Sequence, residues 1–342
     1  MITHEVKDRL GEGQSLGNLG VAYQALGNYS KAIEYHEQHL KITREIKDRQ
    51  AEGVALGSLG VVYQALANYS KAIEHHEQYL VIAREIKDRS GEGRSLGNLG
   101  IAYQALGNYS KAIEYQEQRL KIAREIKDRQ AEGISLGNLG GTYRLLGDYA
   151  KAIEYQKQCL KIAREIRDRQ AEGVALDSLG MTFYFLGNPF EAVEFLEQGL
   201  EIAREIKDRR AEGFIVGNLG IVYGFMGNFP KAIEFYQQSS AIAYDIEDRS
   251  QQRLASNNLG VTLTEQEPEL AIVFYKQSVN ISESIRKDLK ALPREAQELY
   301  TSSVAKTYRG LANLLLTQGR TREAQAFSKL CNSWTLRSSK TA

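Results

Sequence analysis

The sequence predicts an all-α array of antiparallel helix pairs, and three observations predict it. Leucine followed by glycine recurs every forty residues in strict register, at Leu19-Gly20, Leu59-Gly60, Leu99-Gly100, Leu139-Gly140, Leu179-Gly180, Leu219-Gly220 and Leu259-Gly260. Fixed periods of this size belong to supersecondary units that bury their apolar faces only against neighbouring units. Within a unit the apolar residues fall at helical spacing, and glycine, asparagine and aspartate stand where helices stop and start.

The stretch from Leu96 to Gly133 serves for every unit. Leu96, Leu99, Gly100, Tyr103 and Leu106 lie at i, i+3, i+4, i+7 and i+10, one face of a first helix, called helix A. Gly107 stands where a helix must turn left-handed, and Asn108 is the N-cap of helix B. In helix B, Ala112, Ala123 and Ile126 share a stripe flanked by Ile113, Leu120, Tyr115 and Ile122. That surface is wide enough to need two neighbours, its own helix A and the next. Asp128 caps the following helix A, whose first turn carries Glu132 near the positive helix end.

The unit resembles the tetratricopeptide repeat (TPR) in Leu99, Gly100, Tyr103, the Leu106-Gly107 turn, Tyr109 and Ala112, with a period of forty instead of thirty-four. The LGNLG, KAIEY and IAREIKDRxAEG segments are similar to the repeats of Leu-Gly-Asn-repeat polarity scaffolds of the Pins type and, more loosely, of rapsyn and kinesin light chain. The resemblance covers Val6 to about Leu330 and implies a right-handed superhelical solenoid whose concave groove, lined by helix A, binds protein partners. One departure is the position late in helix B where a TPR carries a small residue, which here holds His39, Tyr79, Arg119, Cys159, Gly199 and Ser239. Looser packing, or side chains turned out at the convex edge, is expected there.

In chain order, residues 1–8 align with the end of a helix B and are expected to be the remnant of a preceding repeat. Residues 9–248 form six regular units, 249–288 a degenerate seventh in which Pro268 opens helix B, and 289–332 a capping unit carried by Tyr308, Leu311, Ala312, Leu315, Gly319 and Ala324. Residues 333–342 are expected to be a disordered tail. The segment from Leu292 to Leu330 resembles the connector between TPR arrays and caspase-like CHAT peptidase domains of bacterial proteins, but the catalytic histidine and cysteine of such a domain are not in this chain.

A formal net charge of +1 gives no electrostatic case for nucleic acid or an anionic membrane as partner. Cys159 and Cys331 lie in different repeats, so neither a disulfide framework nor a CxxC metal site is present. No apolar run approaches a membrane span and the first residues are charged, so a cytoplasmic protein is expected. His36, His39 and His76 invite a zinc site by spacing alone, but no Cys, Asp or Glu completes the ligand set, and they are assigned to packing or solvent with no metal and no cofactor. The glycines of GNLG have no strand before them and no GKS or GKT after, so they are packing glycines and not a phosphate loop. No nucleophile, base and oxyanion donor assemble, so no enzyme is expected.

The face of helix A opposite the packing stripe carries Gln14, Asn18, Val21 and Ala25 in the first unit, flanked by Gly17 and Gln24. Asn18, Ser58, Asn98, Asn138, Ser178, Asn218 and Asn258 form a ladder of amides and hydroxyls able to pair with the backbone of an extended peptide. The early repeats offer a shallow floor of Gly17, Gly57, Gly97 and alanines. Repeats four to six instead bring Leu145, Tyr184, Phe185, Phe214 and Phe225 to the groove, with Arg144 as nearby cation. The function expected is a protein-interaction scaffold that binds a peptide segment or helix there. Two alternatives stand beside it: the sensor array of a CHAT-type peptidase or signalling protein whose effector domain is missing here or encoded alongside, and a rod of homo-oligomers stacked end to end.

Overall fold

The computed structural model describes the backbone of residues 2–289 and 294–335 and the side chains of residues 9–289 and 297–330. Among these residues the backbone forms sixteen α-helices and no strand. They divide into two compact units, one ending at Arg167 and the other beginning at Asp168. The first holds α1 (Ile2–Ala25), α2 (Tyr29–Glu45), α3 (Arg49–Ala65), α4 (Tyr69–Glu85), α5 (Arg89–Ala105), α6 (Tyr109–Glu125), α7 (Arg129–Leu145) and α8 (Tyr149–Glu165). The second holds α9 (Arg169–Leu186), α10 (Pro189–Glu205), α11 (Arg209–Phe225), α12 (Phe229–Asp245), α13 (Arg249–Leu263), α14 (Pro268–Leu289), α15 (Arg294–Thr317) and α16 (Thr321–Thr335). Within each unit every helix packs on the helices before and after it in the chain. Odd-numbered helices are the A helices and even-numbered ones the B helices.

The turn from A to B forms as its residues dictate. Gly107 takes φ 74° and the side chain of Asn108 accepts from the Lys111 amide at 3.2 Å. Gly27, Gly147, Gly187 and Gly227 adopt the same left-handed conformation, and Ala67, the alanine in the series, is held there at φ 55°. The turn from B back to A was less visible. It uses a left-handed residue too, but a lysine in most repeats: Lys47, Lys87, Lys127 and Lys207, with Arg167 and Glu247, all lie at φ between 55° and 59°. The following aspartate closes the turn by capping the next helix, as Asp128 does in accepting from the Ala131 amide at 2.9 Å.

Residues 2–8 do not make this turn. The segment aligned with the end of a helix B continues straight into α1, which avoids the steric cost of a left-handed lysine. Of the tail expected from Ser333, residues 333–335 close α16 and 336–342 lie outside the described residues. Leu106 and Ile126, placed on apolar stripes by spacing, sit past the last helical residue and are 52% and 41% exposed.

The recurring glycine of helix A sets the closeness of each pair. A Cβ at Gly20, Gly140, Gly180 or Gly220 would lie 2.5, 2.6, 2.7 or 2.6 Å from a side-chain atom of His36, Gln156, Leu196 or Tyr236. His36 therefore packs within a pair, seated on the glycine of its own helix A. Two further devices repeat along the array. Aromatic side chains of A and B stack near the turn, as Tyr103 on Tyr115 at 5.5 Å with Lys111 over the Tyr103 ring at 4.6 Å. At the other end, Arg89 pairs with Glu92 of its own helix and Glu125 of α6, while Arg84 of α4 holds the same Glu92 at 2.9 Å. The carboxylate of Glu92 is buried between its two arginines and so ties three successive helices together.

Candidate functional site

The face of helix A predicted to point away from the core is half-buried in the middle and exposed at both ends, and in the second unit those ends are strongly apolar. Val174, Phe214 and Leu254 repeat near the start of α9, α11 and α13, and Phe185 and Phe225 stand at the far ends of α9 and α11. Phe225 is 58% and Phe185 47% exposed, far above what a core phenylalanine shows. Tyr184 joins them: its ring meets Phe185 edge-on at 5.1 Å and Phe225 at 5.4 Å. The three rings form one contiguous aromatic cluster across neighbouring A helices. Phe214 is not part of it, since eleven residues of helix separate it from Phe225, about 16 Å at 1.5 Å per residue.

Phe214 instead walls a cleft of 270 Å³ with Val174, Ile202, Ile206 and Ala211, where α10 meets α9 and α11. The charged groups at its rim already have partners. Asp177 accepts from Asn218 at 2.7 Å, Asp208 caps α11 through the Ala211 amide at 2.9 Å, and Arg210 reaches Asp248 at 3.4 Å. The cleft therefore offers apolar surface and little unsatisfied charge.

The ladder of amides and hydroxyls lies on the expected face but is not a uniform row of available groups. Asn218 is committed to Asp177, Ser58 donates to the Val54 carbonyl of its own helix at 3.0 Å, and Asn258 accepts from Asn257 at 3.4 Å. Asn18 is exposed, Asn98 and Ser178 are half-buried, and the Nδ2 of Asn138 is buried and meets no acceptor among the described residues. Asn138 and the half-buried Arg144 belong to the first unit, and the aromatic cluster to the second.

The glycine floor expected in repeats one to three is not a floor. Gly57 and Gly97 are buried, because the bulky residues of helix B lie on them: a Cβ at Gly57 would meet the Tyr79 ring at 3.0 Å, and one at Gly97 the Arg119 guanidinium at 2.7 Å. The same contacts answer the departure from the TPR pattern. His39, Tyr79, Arg119, Cys159 and Ser239 pack inward over Gly17, Gly57, Gly97, Gly137 and Gly217, and where helix A carries Asp177 the residue of helix B is Gly199. Size lost on one helix is restored on the other, so the packing is not loose and these side chains are not turned outward.

No group of three or more potential metal ligands occurs among the described residues. His36 and His76 are buried, the Nε2 of His76 lying 3.2 Å from Gln64 Oε1, and burial pushes both imidazoles down to about 4. No described helix is long and apolar enough to cross a membrane.

The sequence profile of the tetratricopeptide repeat matches residues 11–85, 52–125, 131–205 and 209–284, and a second profile of that repeat matches 305–327. No curated protein matches the sequence significantly. Among solved structures the chain is similar to the apo form of RapI, at 17% identity and a TM-score of 0.67, over 81% of this chain and 99% of that one. It is similar to a Rap protein complexed with Competence and Sporulation Factor, at 15% identity and a TM-score of 0.60, over 98% of each chain. It is also similar to a signal transduction ATPase (STAND) protein with a tetratricopeptide repeat sensor from Pyrococcus horikoshii, at 17% identity and a TM-score of 0.62, over 95% of this chain and 48% of that one. At such identities the likeness is one of fold.

Proposed function

This chain belongs to the tetratricopeptide repeat family, and on that premise we propose that it is a non-enzymatic binding array whose second unit holds an extended peptide or a helix of a partner protein against α9, α11 and α13. The observation that carries this reading is the exposed ring cluster of Tyr184, Phe185 and Phe225. Aromatic side chains ringed by polar groups have the make-up of an interface hot spot, and rings left in water on this scale otherwise favour association. Val174 and Phe214 extend the apolar surface to the cleft, and Ser178, Asn258 and the Oδ1 of Asn218, whose Nδ2 is held by Asp177, supply polar contacts between the two ends. Asn18, Ser58, Asn98, Asn138 and Arg144 present the corresponding face of the first unit, where no aromatic cluster of this kind occurs among the described residues. The complex of a Rap protein with Competence and Sporulation Factor supports the reading to the extent that the same fold there holds a partner.

The test is capture with the intact chain as bait, in parallel with the Phe185→Ala/Phe225→Ala double variant and with Asn18→Ala. A partner retained by the wild type and by Asn18→Ala but released by the double variant supports the site. Retention by all three places the contact elsewhere.

A second reading is that the array senses on behalf of a signalling protein, as the tetratricopeptide repeat sensor of the Pyrococcus horikoshii protein does by its description. A captured partner carrying an ATPase or peptidase domain, with activity that changes when the array is added, would favour it.

A further inference from the structure

The repeats are nearly verbatim copies, yet one position never carries the same residue twice: His39, Tyr79, Arg119, Cys159, Gly199 and Ser239 occupy it in the six regular units. This position packs on helix A of its own repeat, and in the third unit its side chain, Arg119, also lines a cleft toward the next repeat. The cleft where α10 meets α9 and α11 is mainly apolar. The cleft where α6 meets α5 and α7, of 200 Å³, is lined by Arg89, Arg94 and Arg119 together with Ser90, Ile122, Asp128 and Gln130.

Arg119 lies flat over Gly97, which has no Cβ to obstruct it, and its guanidinium enters the cleft. Burial lowers the pKa of this group, with Asp128 opposing the shift, so its charge is held in a poorly solvated place. Neither Arg119 nor Arg94 makes an ion pair or a side-chain hydrogen bond with a described residue, whereas Arg89 beside them is taken by Glu92 and Glu125. Asp128 is the one carboxylate lining the cleft, and its Oδ1 accepts the Ala131 amide as helix cap. Two positive charges thus face one committed negative one. A partly buried cation without a paired anion is costly, and a guanidinium recovers that cost best from a carboxylate held by paired N–H donors. The other walls are Ile122, Ile126 and Ile134, the last two 41% and 46% exposed. They match the methylene stem of an acidic side chain, which a bare inorganic anion lacks.

We propose that the cleft where α6 meets α5 and α7 binds an acidic side chain of a peptide, its carboxylate on Arg94 and Arg119 and its stem on the isoleucines. The site lies in the first unit and does not rest on the aromatic face of the second.

The experiment uses the full chain and a fluorescein-labelled hexaglutamate peptide, followed by fluorescence polarisation at low salt. Arg119→Cys and Arg94→Ile restore the residues that repeat four carries at the same positions, so the packing frame tolerates both; circular dichroism checks the fold. The wild type binds, Arg119→Cys binds about tenfold more weakly, as the loss of one charge-assisted contact predicts, and the exposed Lys121→Ala binds as the wild type does. Absence of binding by the wild type overturns the proposal, as does equal binding by Arg119→Cys and Arg94→Ile. Displacement of the peptide by inorganic phosphate at concentrations matching unlabelled hexaglutamate also overturns it, since the isoleucine walls would then contribute nothing.

Discussion

Gly140 and Gly141 are adjacent in α7, and alanine at each should shift stability in opposite directions. Helix propensity alone favours alanine over glycine by about 1 kcal/mol at either position, through the freedom glycine loses on folding. That gain, including its origin in the unfolded chain, cancels in a comparison of the two variants. Space does not cancel. At Gly141 a Cβ meets nothing within 4 Å, so Gly141→Ala should keep most of the gain. At Gly140 a Cβ lies 2.6 Å from the Gln156 Cγ and 3.2 Å from the Ala152 carbonyl oxygen. The far end of Gln156 can swing away, but Cγ is near its root, and the backbone of Ala152 moves only if α7 and α8 separate. Overpacking of this kind costs about 1–3 kcal/mol, so Gly140→Ala should come out destabilising by about 1 kcal/mol after the propensity gain. The assay is urea denaturation followed by circular dichroism, comparing midpoints because an array need not unfold in one step. Gly141→Ala should raise the midpoint and Gly140→Ala lower it. Equal shifts of the same sign would refute the claim that the recurring glycine sets the approach of each helix pair.

Ala67→Gly should stabilise the array by about 0.5 kcal/mol, because alanine at φ 55° carries a steric cost that glycine avoids, less the freedom glycine adds to the unfolded chain; a lower urea midpoint contradicts this. Acid should destabilise the first unit between about pH 6.5 and pH 4: burial holds His36 and His76 down to about 4, so the unfolded chain binds more protons in that window and stability falls as pH falls. The slope is on the order of 1 kcal/mol per pH unit for each histidine, and His36→Gln/His76→Gln, which copy repeats three and four, should flatten it in melts taken across that range. Deleting Arg89 to Asp128 should leave a folded chain one repeat shorter, since each repeat contacts its neighbours; loss of helical circular dichroism would show a dependence that the array does not display.

How far the structure was legible depends on whether a residue type announces its conformation. Gly107 and Asn108 declare the turn from A to B because few other residues serve there. The turn from B to A was hidden because Lys127 holds a left-handed conformation that lysine does not advertise. The fold itself was legible from Leu99-Gly100 and its copies. The odd helix B position misled because it was weighed alone; Arg119 makes sense only over Gly97, and Gly199 only beside Asp177. The same holds for the binding face. Phe185 and Phe225 were legible as large residues in place of alanines, but the occupation of Asn218 by Asp177 depends on a neighbouring repeat, beyond any pattern within one helix. The arginine-glutamate ties were missed for a similar reason, since Arg89 and Glu125 are thirty-six residues apart.

The central claim, that the aromatic face of the second unit holds the partner, is tested most directly by calorimetry of the captured partner against Phe225→Ala, Asn218→Ala and Asn18→Ala. Phe225→Ala should cost about 2 kcal/mol, near thirtyfold in Kd, and Asn218→Ala about 1 kcal/mol through the loss of a polar contact. Asn18→Ala should bind as the wild type does. Weakened binding by Asn18→Ala alone, with Phe225→Ala unaffected, would contradict the account and place the site on the first unit.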